Sequence, residues 1–211
     1  MAGSICSGCD CHIDRADNSL ATLVRLQAKY ATNEADMQGM RRVRNTCTEF
    51  LTRDQRQITA NEQRLWFRML ERSKVWPFVF RLKGKAVGYG LIRREGRALM
   101  LSGGLVPTCR GKGLGTELFG FLVGQALAIR ALREPTAEKT CNHCKGSGWY
   151  NCSHDRLRNE ICTCFKREKI YLEVFGSNKV AYNMYNKLGF RMKPGHCYTP
   201  KVMVMEFFHA A

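Results

Sequence analysis

Two hydrophobic periodicities alternate along the chain, and their order predicts a mixed α/β fold. Six short segments are either continuously apolar or alternate between apolar and polar residues, which is typical of strands. In four other segments apolar residues recur every three or four positions, as on the buried face of a helix. The predicted strands cover 21–29, 77–82, 86–93, 98–106, 169–175 and 201–208, and the predicted helices run from Asn33 toward Cys47, onward from Thr59, over 113–133 and over 178–188. A helix is an alternative for the short segment 21–29. Two turns rich in glycine and charge link the second, third and fourth strands, which predicts an antiparallel meander.

The starts of two predicted helices carry capping signals. Asn33 stands before Glu34 and Asp36, so an amide cap precedes carboxylates at the positive end of the helix dipole. Thr59 stands three residues before Glu62, which is the spacing of a capping box. An apolar stripe in the second of these helices is expected to lie in the core. The stripe consists of Leu65, Trp66, Met69 and Leu70.

The cysteines favour thiols and metal over a disulfide framework, because 11 of them occur without a secretion signal. Residues 134–167 interrupt the pattern between the long helix and the fifth strand, and they contain C-x-x-C-x-G-x-G followed by C-x-C. The first of these motifs resembles one DnaJ-type zinc knuckle. Four thiolates suit tetrahedral Zn²⁺, so we predict a structural zinc site in this insertion, with free thiols in a loop as the alternative. The predicted ligands are Cys141, Cys144, Cys162 and Cys164, with Cys152, His143 or His154 as substitutes.

The remaining cysteines fall into two groups. Residues 1–20 form a predicted N-terminal tail with Cys6, Cys9 and Cys11, which can form another metal site, donate to the first one or serve a redox role. A mobile tail without any of these roles is the default. Cys47, Cys109 and Cys197 stand apart from the clusters, and we expect each to be a small buried hydrophobic residue.

Positive charge is concentrated in one part of the chain. The formal net charge is +16, and residues 37–97 hold 15 basic and 5 acidic side chains. Such a field attracts polyanions, so nucleic acid, a phosphorylated substrate or an anionic coenzyme are candidate ligands, and a solvated basic surface is the alternative. No segment approaches the roughly 18 consecutive apolar residues of a membrane helix, and the first ten residues lack a leader pattern. We therefore expect a cytoplasmic protein without a membrane partner.

A glycine-rich loop, PTCRGKGLGT, joins the fourth predicted strand to the long helix. Its three glycines let the backbone approach an anion, Arg110 and Lys112 add charge, and the start of the helix supplies free N–H groups. The spacing differs from that of the P-loop and of the dinucleotide-binding loop, and the loop follows an antiparallel meander. It therefore predicts an anion site of another kind, with a tight turn that binds nothing as the alternative.

Two motifs resemble signatures of the Gcn5-related N-acetyltransferase (GNAT) superfamily. The loop is similar to its coenzyme A signature, [RQ]-x-x-G-x-[GA], at Arg110, Gly113 and Gly115. Downstream, the residues from Asn178 to Phe190 are similar to N-x-x-A-x-x-x-Y-x-K-x-G-F, another hallmark of the superfamily. The resemblance implies the GNAT fold, a mixed and mostly antiparallel sheet flanked by helices, over residues 21–211, with the Cys-rich segment as an insertion.

The resemblance also implies a coenzyme and a reaction. In this superfamily the pantetheine arm of acetyl-coenzyme A inserts where the fourth and fifth strands splay apart, and the acetyl group passes to an amine by direct attack in a ternary complex. Backbone groups near 104–106 and 174–175 are then expected to bind the arm. The implied coenzyme-binding residues are Leu105, Val106, Arg110, Gly111, Lys112, Gly113, Leu114, Gly115, Thr116, Asn178 and Tyr185.

By the same resemblance Tyr185 protonates the coenzyme A thiolate as it leaves, since a phenol with a pKa near ~10 is neutral at pH 7. The alternative is that Tyr185 only packs in the core. The attacking amine must lose a proton, and Glu173 is the candidate base if strand alternation points it toward the site. The backbone N–H of Val106 is a candidate oxyanion donor. Weaker candidates for the base are Ser102, His196 and Tyr198.

The acceptor is left open by the sequence. Residues 44–67 faintly resemble small-molecule acetyltransferases that act on amino sugars, but the same region carries the excess positive charge, which would suit RNA or DNA. Three hypotheses follow: an acetyltransferase for a small amine, one for a nucleic-acid base, tRNA or a nucleic-acid-bound protein, and a non-catalytic module that binds coenzyme A and zinc. A homodimer is also left open.

Overall fold

The computed structural model describes residues 26–132, 149–151, 159–161, 168–199 and 201–208. Within these ranges one seven-stranded sheet and one two-stranded sheet are formed. The strands are β1 (Gln27–Tyr30), β2 (Val75–Leu82), β3 (Lys85–Glu95), β4 (Ala98–Leu105), β5 (Trp149–Asn151), β6 (Asn159–Ile161), β7 (Lys169–Phe175), β8 (Phe190–Thr199) and β9 (Val202–Phe207). The helices are α1 (Glu34–Asn45), α2 (Ala60–Arg68), α3 (Leu114–Ala131) and α4 (Lys179–Lys187), and short 3-10 turns cover Thr48–Phe50 and Pro107–Cys109.

Both predicted capping signals are confirmed. The side chain of Asn33 accepts a hydrogen bond from the backbone N–H of Asp36 at 2.9 Å, at the start of α1. At the start of α2 the Thr59 hydroxyl accepts from the Glu62 N–H at 3.2 Å, and the Glu62 carboxylate accepts from the Thr59 N–H at 2.7 Å. These bonds satisfy N–H groups that have no partner inside the helix, so both helices begin where the sequence places them.

The large sheet has the order β1-β2-β3-β4-β7-β9-β8 and is packed on both faces. On one face the core is built from β2, β3, β4 and β7 with α3, and on the other Met37, Met40 and Val43 of α1 cover Val79 and Tyr89. On the α3 face two glycines of β3 allow the helix to come close: a Cβ atom at Gly90 would lie 2.8 Å from a methyl group of Leu122, and Gly88 is equally close to its neighbours. Glycine in β3 therefore sets the distance between sheet and helix.

One strand pair differs from the rest. β4 and β7 are the parallel pair in this sheet, and their register runs from Ala98 opposite Lys169 to Leu101 opposite Leu172. Both strands continue beyond that point, β4 to Leu105 and β7 to Phe175, without further pairing to each other. The sheet therefore opens between the ends of β4 and β7, while each strand stays paired on its other side with β3 or β9.

The predicted fold class, a mixed and mostly antiparallel sheet with flanking helices, is confirmed, but two details of the prediction are wrong. β8 was not predicted, because its sequence FRMKPGHCYT contains proline, glycine and several polar residues; it lies at the edge of the sheet, where proline is tolerated. The stripe on α2 is not wholly in the core, since Leu65 and Met69 are 47% and 83% exposed. Part of the first predicted strand, 21–25, lies outside the described residues.

Candidate active site

A cavity of about 660 Å³ lies at the opening between β4 and β7 and extends to the glycine-rich loop before α3. Its volume is in the range of small-molecule and cofactor sites. Nine of the twelve residues predicted to bind the coenzyme or to act as acid or base lie in its wall: Leu105, Arg110, Gly111, Gly113, Gly115, Thr116, Glu173, Asn178 and Tyr185. Val106, Lys112 and Leu114 do not line it. The structure thus brings both sequence motifs and the two strand ends to one place.

The glycine-rich loop has the geometry of an anion site. Gly111 and Gly113 have φ angles of +73° and +77°, in the left-handed region that favours glycine, and the space where their Cβ atoms would lie is open. Gly113 is the N-cap of α3, and no side chain caps the N–H groups of its first turn. Gly115 has a different role, because a Cβ atom there would lie 3.0 Å from the sulfur of Met184 on α4. The loop therefore directs backbone N–H groups and the positive helix end toward the cavity.

Arg110 ties this loop to the segment that follows α1. Its Nε donates to the carbonyl oxygen of Leu105 at 3.0 Å, and its Nη2 donates to the carbonyl oxygen of Thr46 at 3.0 Å. The guanidinium also lies over the Phe50 ring, 4.8 Å from its centre, and 3.4 Å from the Glu49 carboxylate. In this structure Arg110 is therefore held mainly by protein groups at the edge of the cavity. Lys112 likewise donates to the carbonyl oxygen of Thr108, at 2.8 Å.

The end of β4 presents backbone groups to the opening, but not at the residue that the sequence suggested. The N–H of Val106 donates to the carbonyl oxygen of Val87 on β3 at 2.9 Å, so it is already used in the sheet. Alternate residues in an antiparallel ladder direct their N–H and C=O groups to opposite sides, so those of Gly103 and Leu105 face the opening. The N–H of Val106 therefore does not face the opening, whereas that of Leu105 does.

Tyr185 is buried in the aromatic core and also lines the cavity. Its ring packs edge-on against Phe119 and Phe190, with centroid distances of 4.8 Å and 6.0 Å. Only 7% of the residue is exposed, and burial raises the pKa of its phenol well above the ordinary value, with a smaller contribution from Tyr89. The phenol is therefore protonated throughout the neutral range, as a proton donor must be.

Glu173 faces the side of the sheet covered by α1, because Ile170, Leu172 and Val174 of the same strand face the α3 side. Its carboxylate is held by two neighbours. Thr52 donates from its hydroxyl at 2.8 Å, and Arg53 donates from Nη2 at 2.7 Å. Arg53 also binds Glu95, so it joins two strands to the segment after α1. The direction that the sequence left open for Glu173 is thus toward the α1 side of the first cavity, beside Thr52, which also lines the second cavity described next.

A second cavity, of about 390 Å³, lies on the α1 and α2 side of the sheet. It shares part of its wall with the first cavity, so the two meet through the opening in the sheet. The shared residues are Leu51, Thr52, Tyr89, Met100 and Ser102. Of the weaker candidates for the base, Ser102 lies at this junction, whereas the side chains of His196 and Tyr198 lie outside the described residues. Two ligands can therefore approach each other from opposite faces.

Cys47 is a member of the first cavity that sequence reasoning did not assign to the site. Its thiol lies 3.4 Å from the carbonyl oxygen of Leu105, and a Cβ atom at Gly104 would lie 2.8 Å from its sulfur. Cys47 and Cys109 are both buried and free, which confirms the prediction for these two residues. Nothing in the spacing of Cys47 distinguishes it from an ordinary core cysteine; its place at the cavity depends on long-range packing of α1 against β4.

The predicted zinc ligands Cys141, Cys144, Cys162 and Cys164 lie outside the described residues, as do Cys6, Cys9 and Cys11. The zinc site therefore stays a prediction. Among the residues that are described, no group of three or more His, Cys, Asp or Glu side chains is placed to hold a metal ion. The helices of the described residues differ from membrane spans. None of these helices has both the length and the apolar character needed to cross a bilayer.

Solved structures of GNAT acetyltransferases share this fold. One is yncA, a putative acetyltransferase from Salmonella typhimurium with acetyl-CoA as its cofactor: it is 15% identical, the match covers 89% of this chain and 97% of that chain, and the TM-score is 0.58. Another is AAC(6')-Ib in complex with ribostamycin and coenzyme A, with 18% identity, coverage of 86% and 92%, and a TM-score of 0.57.

A third similar structure is a ribosomal-protein-alanine N-acetyltransferase from Brucella melitensis, with 15% identity, coverage of 85% of this chain and 98% of that chain, and a TM-score of 0.57. No model of a protein family matches the sequence, and no curated protein matches it either. At these identities the similarity shows the fold. One of these structures holds ribostamycin and another is a ribosomal-protein-alanine N-acetyltransferase, so the shared fold does not indicate a substrate for this protein.

Proposed function

We propose that this protein is an N-acetyltransferase that moves the acetyl group of acetyl-coenzyme A to an amine. One observation carries the proposal: an anion-binding loop, unpaired strand ends and a buried phenol line one cavity, and a second cavity reaches the same opening from the other face of the sheet. The first cavity suits the coenzyme, with its pyrophosphate at the N-terminus of α3 and its pantetheine arm between β4 and β7. The second cavity then holds the acceptor.

The reaction proceeds by direct attack in a ternary complex. The nitrogen of the neutral amine forms a bond to the thioester carbon, the carbonyl oxygen gains negative charge, and the bond from carbon to sulfur breaks as the intermediate collapses. The N–H of Leu105 stabilises the oxyanion, and Tyr185 gives its proton to the leaving sulfur. Tyr185 then recovers a proton from solvent, so the products are the acetylated amine and free coenzyme A.

The proton of the attacking nitrogen leaves through Thr52 to Glu173. Thr52 lies at the junction of the two cavities, and its hydroxyl donates to Glu173 at 2.8 Å. A hydroxyl in this position can accept the proton of the amine while passing its own to the carboxylate. The Glu173 carboxylate is already bound by Arg53. It can still act as the base in this relay, because the amine contacts Thr52 and does not need to reach the carboxylate itself. Glu173 afterwards returns the proton to solvent.

The proposal is tested by measuring coenzyme binding and acetyl transfer separately. Calorimetry with coenzyme A should show one site per chain, and incubation with labelled acetyl-coenzyme A and a panel of amines should transfer label to at least one of them. Binding of coenzyme A without transfer to any amine would support the non-catalytic alternative. Absence of both would contradict the whole assignment of the cavity.

A further inference from the structure

The wall of the acceptor-side cavity is rich in arginine. Two carboxylates, Asp54 and Glu62, line the cavity as well. The arginines are Arg41, Arg44, Arg53, Arg56 and Arg93. A cavity with this lining attracts anionic groups and repels cationic ones, provided that the positive charges are not fully neutralised by their neighbours.

Two of the five arginines are neutralised by protein carboxylates. Arg53 binds Glu173 and Glu95, each with a shortest distance of 2.7 Å. Arg56 pairs with Glu62 and lies 3.3 Å from Asp54. These two arginines hold the segment after α1 in place and have little charge left for a ligand.

Within the described part of the chain, the other three arginines lack close carboxylate partners. Arg93 is 3.7 Å from an oxygen of Glu95 that already binds Arg53 at 2.7 Å. Arg44 is 3.5 Å from the carboxylate of Asp54, while its closer contacts, at 2.7 and 2.8 Å, are to backbone carbonyl oxygens. Arg41 donates to the side chain of Gln38 and to a carbonyl oxygen, and no ion pair of Arg41 occurs among the described residues. Positive charge is therefore left over in this wall.

Two of these arginines reach the cavity from different elements. Arg44 comes from α1 and Arg93 from β3, and both line the cavity together with Tyr89, which lies in the wall of both cavities. Burial raises the pKa of Tyr89 well above its ordinary value, Cys47 raises it further, and Arg44 and Arg93 act in the opposite direction. An acid group bound by these two arginines would lie in the same cavity as the proposed attacking amine.

The rest of the cavity fits a small ligand with an apolar part. Its apolar wall consists of Met40, Leu51, Ile58, Trp66, Leu91 and Met100. Gln63 adds an amide that is 94% buried, and its Nε2 contacts the sulfur of Met37 at 3.7 Å. A volume of about 390 Å³ admits an amino acid or a molecule of similar size but only the end of a polymer.

We infer that the acceptor is a small primary amine that also carries a carboxylate or phosphate group, which Arg44 and Arg93 bind while the amine reaches Thr52. This inference rests on the proposed acetyl transfer and specifies its substrate class. Arginine binds both carboxylate and phosphate through paired N–H groups, so either anion satisfies the site. Polyamines and aminoglycosides carry several positive charges, and the same arginines would repel them.

The experiment compares amines in matched pairs that differ in the acid group. Phenylalanine is paired with phenylalanine amide and phosphoethanolamine with ethanolamine, and spermidine and tRNA are added as further acceptors. The anionic member of at least one pair should have a kcat/KM about tenfold or more above its partner, as expected for a charge-assisted hydrogen bond. Spermidine should be a poor acceptor.

Arg93→Gln is the decisive variant, because its one ion pair among the described residues is long, at 3.7 Å, and its replacement leaves the contacts of the other arginines in place. It should lower the ratio of kcat/KM between the anionic and the neutral amine about tenfold. Arg68→Gln is the matched control: Arg68 lies on α2 near Trp66 but is exposed and does not line the cavity. It should behave like the unaltered protein with both members of a pair.

The outcomes separate this inference from the proposed function. Equal acetylation of both members of each pair, unaffected by Arg93→Gln, would overturn the inference and leave acetyl transfer intact. Salt-sensitive acetylation of tRNA above all small amines would also overturn it. If no amine is acetylated, the proposed function fails. Calorimetry with each pair in the presence of coenzyme A then tests the inference by itself. Tighter binding of the anionic member that is lost in Arg93→Gln supports the inference, and equal binding of both members refutes it.

Discussion

At the scale of single residues, Tyr185 packs in the core and is also the proton donor of the proposed reaction. Its ring packs against Phe119 and Phe190 in the aromatic core, and the residue also lines the first cavity. Replacement by phenylalanine keeps the ring contacts and removes only the proton donor. Tyr185 is thus a residue at which stability and catalysis can be separated experimentally.

We expect Tyr185→Phe to lower kcat about a hundredfold, the usual loss when a general acid is removed. The affinity for coenzyme A should stay nearly unchanged, since the phenol donates only when the thiolate leaves. Because burial raises the pKa of Tyr185, the acid stays protonated through the neutral range, and any loss of rate due to its ionisation belongs above pH ~10. Stopped-flow or steady-state release of coenzyme A over a range of pH measures this. Full activity of the variant at every pH would show that another group is the acid.

Thr52 allows a similar separation for the base. Thr52→Val removes the hydroxyl that donates to Glu173 but keeps the shape of the side chain, so we expect kcat to fall about a hundredfold. Thr52→Ser keeps the hydroxyl and should retain most of the activity. The measurement is kcat for the best amine, with the melting temperature as a check on folding. Equal rates for the serine and valine variants would exclude the relay.

At the scale of elements, the start of α3 needs glycine for conformation rather than for space. Gly113→Ala forces an L-residue to a φ of +77°, which costs about 1–2 kcal/mol, although no atom obstructs the new methyl group. We expect lower stability and weaker coenzyme A binding, because relief of the strain moves the N–H groups of the first turn. Calorimetric titration and denaturant unfolding measure the two effects.

Gly124→Ala is the matched control for Gly113→Ala. Gly124 lies inside the same helix, has an ordinary helical conformation and has open space at its Cβ position. Alanine there should raise stability by up to about 1 kcal/mol and leave coenzyme A binding unchanged. If both variants weakened binding equally, the special role of the loop conformation would be contradicted.

The capping box of α2 makes part of the stability sensitive to acid. The Thr59 N–H, followed by the Arg56 guanidinium, lowers the pKa of Glu62 from 4.5 to about 2. The ionised carboxylate therefore stabilises the folded state fully above pH ~4.5, and this contribution is lost as pH falls toward 2. Glu62→Gln should be less stable than the unaltered protein at pH 7, and the difference should shrink across that window. Urea unfolding between pH 7 and pH 3 checks this, and a constant difference would contradict it.

The Cys-rich insertion leads to a prediction about metal content. Four thiolates at Cys141, Cys144, Cys162 and Cys164 suit one tetrahedral Zn²⁺ per chain, in a segment with few apolar residues to stabilise it. Protein purified without chelators should contain about one equivalent of zinc, and the double variant Cys141→Ser, Cys144→Ser should lose it. Elemental analysis provides the measurement. A stable, metal-free protein would refute the site.

At the scale of the whole molecule, the two cavities on opposite faces of one sheet could be predicted only in part. Local signals placed the caps at Asn33 and Thr59, the meander and the loop at Gly113, because each depends on neighbours in sequence. Other features depend on how distant strands and helices meet, so local signals do not predict them. They include the hydrogen bond from the Val106 N–H to Val87 and the position of Cys47 in the cavity wall. The second cavity is likewise formed by residues from α1, α2, β3 and β4, which no local pattern brings together.

The division of the large sheet also has a mechanical consequence. The strands β1 to β4 and the strands β7 to β9 form two antiparallel halves that are joined in the sheet by four residue pairs between β4 and β7. The seam between the halves has these four residue pairs, against eight between β3 and β4 and five between β7 and β9, and it ends where the chemistry is proposed to occur. A pantetheine arm bound there would act as a short added strand that fastens one half to the other. Solvent deuterium should accordingly exchange readily at the N–H groups of Gly103 and Leu105 in the protein alone, and slowly once coenzyme A closes the seam.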